Sequence, residues 1–152
     1  MAPRVAATAT TLNAIEMRLA GGLLALNRLV TTFLSKRMPV AGFTVGRDGD
    51  AMRATLVLEC PPETARRYAA LLSGLQDVEE IELSDGTVEV ALLKTNGEGW
   101  RESAAASGVE AHEEGGTVVA SGDPERVEAW LGSLGVEDIV RLGPVVRPGE
   151  GG

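Results

Sequence analysis

A change of hydrophobic period at one pair of glycines constrains this chain more than any other feature. Before the pair, Ile15-Glu16-Met17-Arg18-Leu19 alternates apolar and charged residues, the period of a half-buried strand. After Gly21-Gly22, residues Leu26, Leu29, Val30 and Phe33 fall at i, i+3, i+4 and i+7, one face of a helix. Strand and helix each have one apolar side to bury, so they must pack as layers. The handover exposes backbone N–H groups, and a helix start of this kind can hold a small anion. The turn therefore either grips a ligand or only redirects the chain.

The first helix is expected to run to about Lys36-Arg37, whose charges suit its C-terminal end, and Pro39 bars its continuation. A strand over Val40 to Arg47 places Ala41, Phe43 and Val45 on one face. The Asp48-Gly49 pair turns it into a returning strand, with Met52, Ala54, Leu56 and Leu58 opposite Arg53, Thr55 and Glu59. Cys60-Pro61-Pro62-Glu63 opens a second helix with Ala65, Tyr68, Ala69, Leu72 and Leu75 on its apolar face. Val78 to Leu83 reads as a fourth strand, ended by Ser84-Asp85-Gly86.

The same order then repeats in less space. Thr87 to Lys94 alternates Val88, Val90 and Leu92 with Glu89 and Ala91. A short helix over Glu98 to Ser107 precedes a hairpin of Val109–Glu113 and Thr117–Ser121 about Gly115-Gly116. Asp123-Pro124-Glu125 is a helix start, a capping Asp followed by proline, leading into Val127, Trp130, Leu131 and Leu134. Val136 to Leu142 closes the set, and the tail Arg147–Gly152 is expected to be mobile. The fold class is α+β, two tandem ferredoxin-like βαββαβ units, over residues 14–85 and 86–148.

Composition narrows the function. A net charge of -8 repels phosphate backbones, and no basic patch with interleaved aromatics offsets it, so nucleic acid is not an expected partner. No apolar run reaches the length of a membrane span, and the Ala- and Thr-rich start, Met1 to Asn13, lacks a signal-peptide core. The single Cys60 forms no internal disulfide. With the single His112 it makes no metal site, and a cytoplasmic protein is expected.

No catalytic constellation emerges. His112 lies in the Glu-rich stretch "EAHEEGG", a solvated surface rather than a base's surroundings, and the run Asp77 to Glu80 likewise reads as a solvated face. Gly21-Gly22 completes no dinucleotide fingerprint, and no P-loop lysine follows. Cys60 suits the beginning of a helix better than a nucleophile's place, and Trp100 and Trp130 suit packing or interface anchors. An acylphosphatase-like hydrolase shares the fold class, but Asn27-Arg28 fall inside the helix with no phosphate-cradling loop before them. No catalytic residue is expected.

Several stretches, in order, resemble the small regulatory subunit of acetolactate (acetohydroxyacid) synthase, over about residues 15–149. Leu26-Asn27-Arg28-Leu29 resembles that family's Leu-x-Arg-Val helix core. Arg37-Met38-Pro39-Val40-Ala41-Gly42-Phe43-Thr44-Val45-Gly46 resembles its phrase Arg-Gly-Phe-Asn-Ile-Glu-Ser-Leu-Thr-Val-Gly. "VEVALLKT", "SGDPERVEAWL" and "VEDIVRLGPVVRPG" are similar to its second-half strand, helix start and ending. The resemblance implies that the first unit is an ACT domain through which the chain forms a homodimer. It also implies that the chain activates a catalytic subunit in branched-chain amino acid synthesis. Thiamine diphosphate, Mg and FAD would then belong to that catalytic partner, and this chain would bind no cofactor and catalyse nothing alone.

The departures fall at the effector turn. The family's Asn-Glu-Pro-Gly-Val-Leu stands here as Gly21, Gly22, Leu23, Leu24, Ala25 and Leu26, and a second Asn, contributed at the dimer interface, is Pro39. Without both amides, a branched-chain amino acid loses polar partners, and Leu24 fills space a glycine leaves open. The effector residues Gly21, Gly22, Leu23, Leu24 and Pro39 are thus degenerate, and valine feedback is expected to be weak or absent. The alternatives are a stand-alone ACT-type small-molecule sensor and an interaction module with no metabolic partner.

Overall fold

The computed structural model describes residues 11–84, 86–95 and 97–146. The expectations for the start and for the tail from Arg147 fall largely or wholly outside these residues. The chain divides into two compact units, one ending at Gly86 and the other beginning at Thr87.

The first unit runs β1 (Leu12–Leu19), α1 (Gly22–Ser35), β2 (Val40–Asp48), β3 (Ala51–Glu59), α2 (Pro62–Ser73) and β4 (Val78–Ser84). Its antiparallel sheet has the order β2-β3-β1-β4. Ile15, Met17 and Leu19 of β1 and Ala54, Leu56 and Leu58 of β3 are buried beneath the helices, as the alternation requires. Asn13 is buried on the same side of β1, its amide satisfied by donating to the Cys60 carbonyl at 2.9 Å and to Thr11 Oγ1 at 3.1 Å. Leu56 is fully buried, and Leu56→Ala would cost about 2–5 kcal/mol from lost transfer energy and the cavity left behind.

Helix α1 buries Ala25, Leu29 and Phe33, and Phe33 meets Phe43 edge-on at 5.1 Å, which sets α1 over β2. It ends at Ser35, immediately before the charged pair expected to close it. The Arg37 N–H donates to Leu34 O at 3.2 Å and the Met38 N–H to Phe33 O at 3.1 Å, a Schellman ending with Met38 tucked into the core. Helix α2 starts at Pro62 and packs across β4 and β1 through Ala65 and Leu72.

The second unit runs β5 (Thr87–Leu93), α3 (Trp100–Ser107), β6 (Glu110–Glu114), β7 (Thr117–Gly122), α4 (Pro124–Leu134) and β8 (Ile139–Val146), with sheet order β6-β7-β5-β8. The Asp123 carboxylate caps α4, accepting from the Glu125 N–H at 2.9 Å. Trp100, Ala104, Val127, Trp130 and Leu131 fill the core against Ala91, Leu93, Val118 and Ala120. Two details differ from the sequence reading. The buried face of β5 is Glu89, Ala91 and Leu93, while Val88, Val90 and Leu92 are only half-buried on the other face. β8 begins at Ile139 rather than Val136, because α4 closes at a left-handed Gly135 and three further residues cross back to the sheet.

The candidate effector turn

Gly21 takes φ 101 and Gly22 φ 62, so the corner between β1 and α1 is built from two left-handed residues that a side chain would strain. No side chain caps the helix, and its first turn carries no acid. The helix start therefore lacks both a local hydrogen-bond acceptor and a local negative charge.

A negative charge comes near it from elsewhere in the unit. β4 runs antiparallel to β1, and Val78 lies opposite Leu19, so the residue before β4 stands beside the turn. That residue is Asp77. Its carbonyl accepts from the Ala20 N–H at 2.9 Å. Its Oδ2 accepts from Arg28 Nη1 at 2.7 Å, and its Oδ1 lies 3.2 Å from where a Cβ on Gly21 would be. The Asp77 side chain is only 16% exposed, against 49% for Arg28. Asp77 is thus not part of a solvated face, as the acidic run suggested. Sequence reasoning missed the Arg28–Asp77 pair, although the ferredoxin-like strand order was enough to bring residue 77 to the turn.

Of the five residues the resemblance singled out, Gly21, Gly22, Leu23 and Leu24 form the corner and first helical turn. Leu23 is 78% and Leu24 58% exposed, so neither side chain fills the corner. Pro39 is not with them. Its carbonyl accepts from the Glu59 N–H, and Glu59 pairs with Leu12 at the far end of the sheet. Seven strand residues at about 3.4 Å each, or roughly 24 Å, separate Pro39 from the turn within one protomer. Pro39 can reach a turn only in a second copy.

Several other charged groups already have partners. On the outer face of the first sheet, Arg53 pairs with Glu16 at 3.2 Å and Asp48 at 3.1 Å beside a cavity of about 440 Å³. Burial opposes the Arg53 charge, but Glu16 and Asp48 outweigh it and hold its pKa above the ordinary value. In the second unit Arg101 stacks over Trp100 at 4.4 Å. Burial pushes the Cys60 thiol up, away from the thiolate a nucleophile needs. His112 sits on exposed β6, 3.7 Å from Glu114. Among the described residues no group of three or more His, Cys, Asp or Glu could hold a metal, and no helix is long and apolar enough to cross a membrane.

No family model and no curated protein matches this sequence. Among solved structures, the small subunit of acetolactate synthase from Thermotoga maritima superposes with a TM-score of 0.71 at 16% identity, covering 88% of this chain and 94% of that one. This likeness is one of fold, two tandem ferredoxin-like units. Protein BT0572 from Bacteroides thetaiotaomicron (TM-score 0.42, 9% identity, 91% and 99% covered) is a looser match. So is aspartate kinase from Clostridium acetobutylicum (0.42, 13%, 82% and 32%).

Proposed function

We propose that this chain is the non-catalytic, activating subunit of an acetolactate synthase, working in the cytoplasm in branched-chain amino acid synthesis. The observation that carries the reading is the extent of the fold likeness, which takes in both units and nearly the whole of each chain. The ordered phrases, from Leu26-Asn27-Arg28-Leu29 to the "VEDIVRLGPVVRPG" ending, support it independently. Thiamine diphosphate, Mg and FAD belong in this reading to the catalytic subunit.

The chain acts as a homodimer through its first unit. Leu23 and Leu34, 78% and 74% exposed, lie about three turns apart on one face of α1. Helix α1 lies over β2, an outer strand of its sheet, so an apolar helix face and an open strand edge adjoin. A two-fold axis along that side covers both at once. It is also the arrangement in which Pro39 of one copy could approach the turn of the other.

The effector turn has lapsed, and valine leaves activation untouched. The test is acetolactate formation by the catalytic subunit of the same organism, with and without this chain, and with valine added. Activation indifferent to valine is the expected result. Activation that valine reverses would keep the partnership and overturn the lapsed turn. No activation would overturn the partnership and leave the exposed Leu23 and Leu24 as the apolar wall of a sensor for another small molecule.

A further inference from the structure

We infer that Asp77 is a resident carboxylate that closes the turn, so that the first unit is held permanently against amino acid effectors. The inference deepens the reading of a lapsed effector turn and rests on it. Three contacts carry it. The Ala20 N–H to Asp77 O hydrogen bond fixes the backbone of residue 77 against the end of β1. The Arg28–Asp77 pair at 2.7 Å spends the nearby guanidinium. The second carboxylate oxygen faces Gly21, so close that even a methyl group there would press on it. An acid from a distant loop thus supplies the negative charge that the neutral first turn of α1 does not.

The consequence concerns competition. A free amino acid approaching Arg28 must displace a carboxylate tethered by the fold, whose effective concentration far exceeds that of a dissolved metabolite. The insensitivity then resides in Asp77 as much as in Gly21 and Pro39. The native turn, on this account, is not a ligand site.

Thermal unfolding of the full chain in sodium acetate against sodium chloride at equal ionic strength tests this. The Asp77→Ala variant should unfold at lower temperature than the parent in chloride. About 0.3 M acetate should then raise its Tm by roughly 2–4 °C, as weak binding to the folded state alone would do. The parent should show no acetate-specific shift. Asp77→Asn, whose amide still fills the place, and Asp77→Ala combined with Arg28→Met should not be rescued. Should Asp77→Ala fail to fold, Asp77→Ser carries the same expectation. An equal acetate effect on the parent, or none on the Ala or Ser variant, overturns the proposal. The readout needs no catalytic subunit, so it stands apart from the failure or success of the activation assay.

Discussion

The indole Nε1 of the fully buried Trp130 donates to Ser103 Oγ at 2.9 Å, and the same hydroxyl donates to the Trp100 carbonyl at 3.2 Å. One side-chain oxygen thus links helices α3 and α4 by hydrogen bonds, beside their apolar packing. Ser103→Ala leaves the indole N–H without its acceptor and should cost about 1–3 kcal/mol. Urea unfolding followed by tryptophan fluorescence should show a lower midpoint with an unchanged slope. An unchanged midpoint would mean that the hydroxyl contributes nothing.

Arg37 ends α1 at φ 52, the one non-glycine residue with positive φ among those described. Its side chain is exposed, so Arg37→Gly should relieve backbone strain at no packing cost and stabilise the chain by about 0.5–1 kcal/mol. A higher Tm checks this, and a loss would show that the arginine makes a compensating contact.

Glu89 is buried on the core side of β5, where Arg141 of β8 reaches it while also pairing with Glu128 of α4. The hydrogen bond to Glu89 is the main cause of the raised Arg141 pKa, so the arginine stays charged at any working pH. Arg141→Met strands a buried carboxylate. The cost should be about 2–3 kcal/mol, below the 3–5 typical of a fully buried pair because Arg141 is 40% exposed. Adding Glu89→Gln should recover part of the loss, and a double-mutant cycle with no coupling would refute the pairing.

Leu23→Glu together with Leu34→Glu should turn the proposed homodimer into a monomer. The protomer itself should lose no more than about 1 kcal/mol of stability, since both side chains already face solvent in one copy. Sedimentation equilibrium of parent and variant decides it. A variant that remains dimeric would place the interface elsewhere.

Restoring the family's turn with Gly21→Asn, Leu24→Gly and Pro39→Asn should not by itself produce valine binding. The asparagine introduced at the corner would have to adopt φ near 101 with the Asp77 carboxylate 3.2 Å from its Cβ, a strain of about 1–2 kcal/mol. Calorimetry should detect valine only when Asp77 is also shortened. Binding by the triple variant alone would show that Asp77 gives way easily.

The fold was legible because period and turn chemistry agreed wherever the chain changed direction. Ile15 to Leu19 alternates, Gly49 turns the first hairpin, and Pro62 and Pro124 open helices at the positions where a missing N–H is harmless. The face of β5 was less legible. A charged residue in an alternating segment ordinarily marks the solvent side, yet Glu89 is the buried one. Its partner Arg141 lies 52 residues away, beyond the reach of local pattern. The turn failed for a related reason. Gly21 and Gly22 were visible as a corner, but Asp77 takes its meaning from the pairing of β4 with β1, and in the linear chain it is one acid among several.

The edges of the two sheets differ in how they would receive a neighbour. β4 carries Glu79, Glu80 and Glu82, β6 carries Glu110, Glu113 and Glu114, and β8 contains Pro144, which has no N–H to offer. β2 bears no charge from Val40 to Gly46. An array of strands can lengthen without limit only if each added copy exposes a fresh edge as inviting as the one it covered. Here a second copy joining at β2 consumes the first copy's receptive edge with its own, and what remains outside is acidic or proline-bearing. With the proposed homodimer, such a chain would count to two and stop, which would keep a concentrated protein from polymerising into fibres.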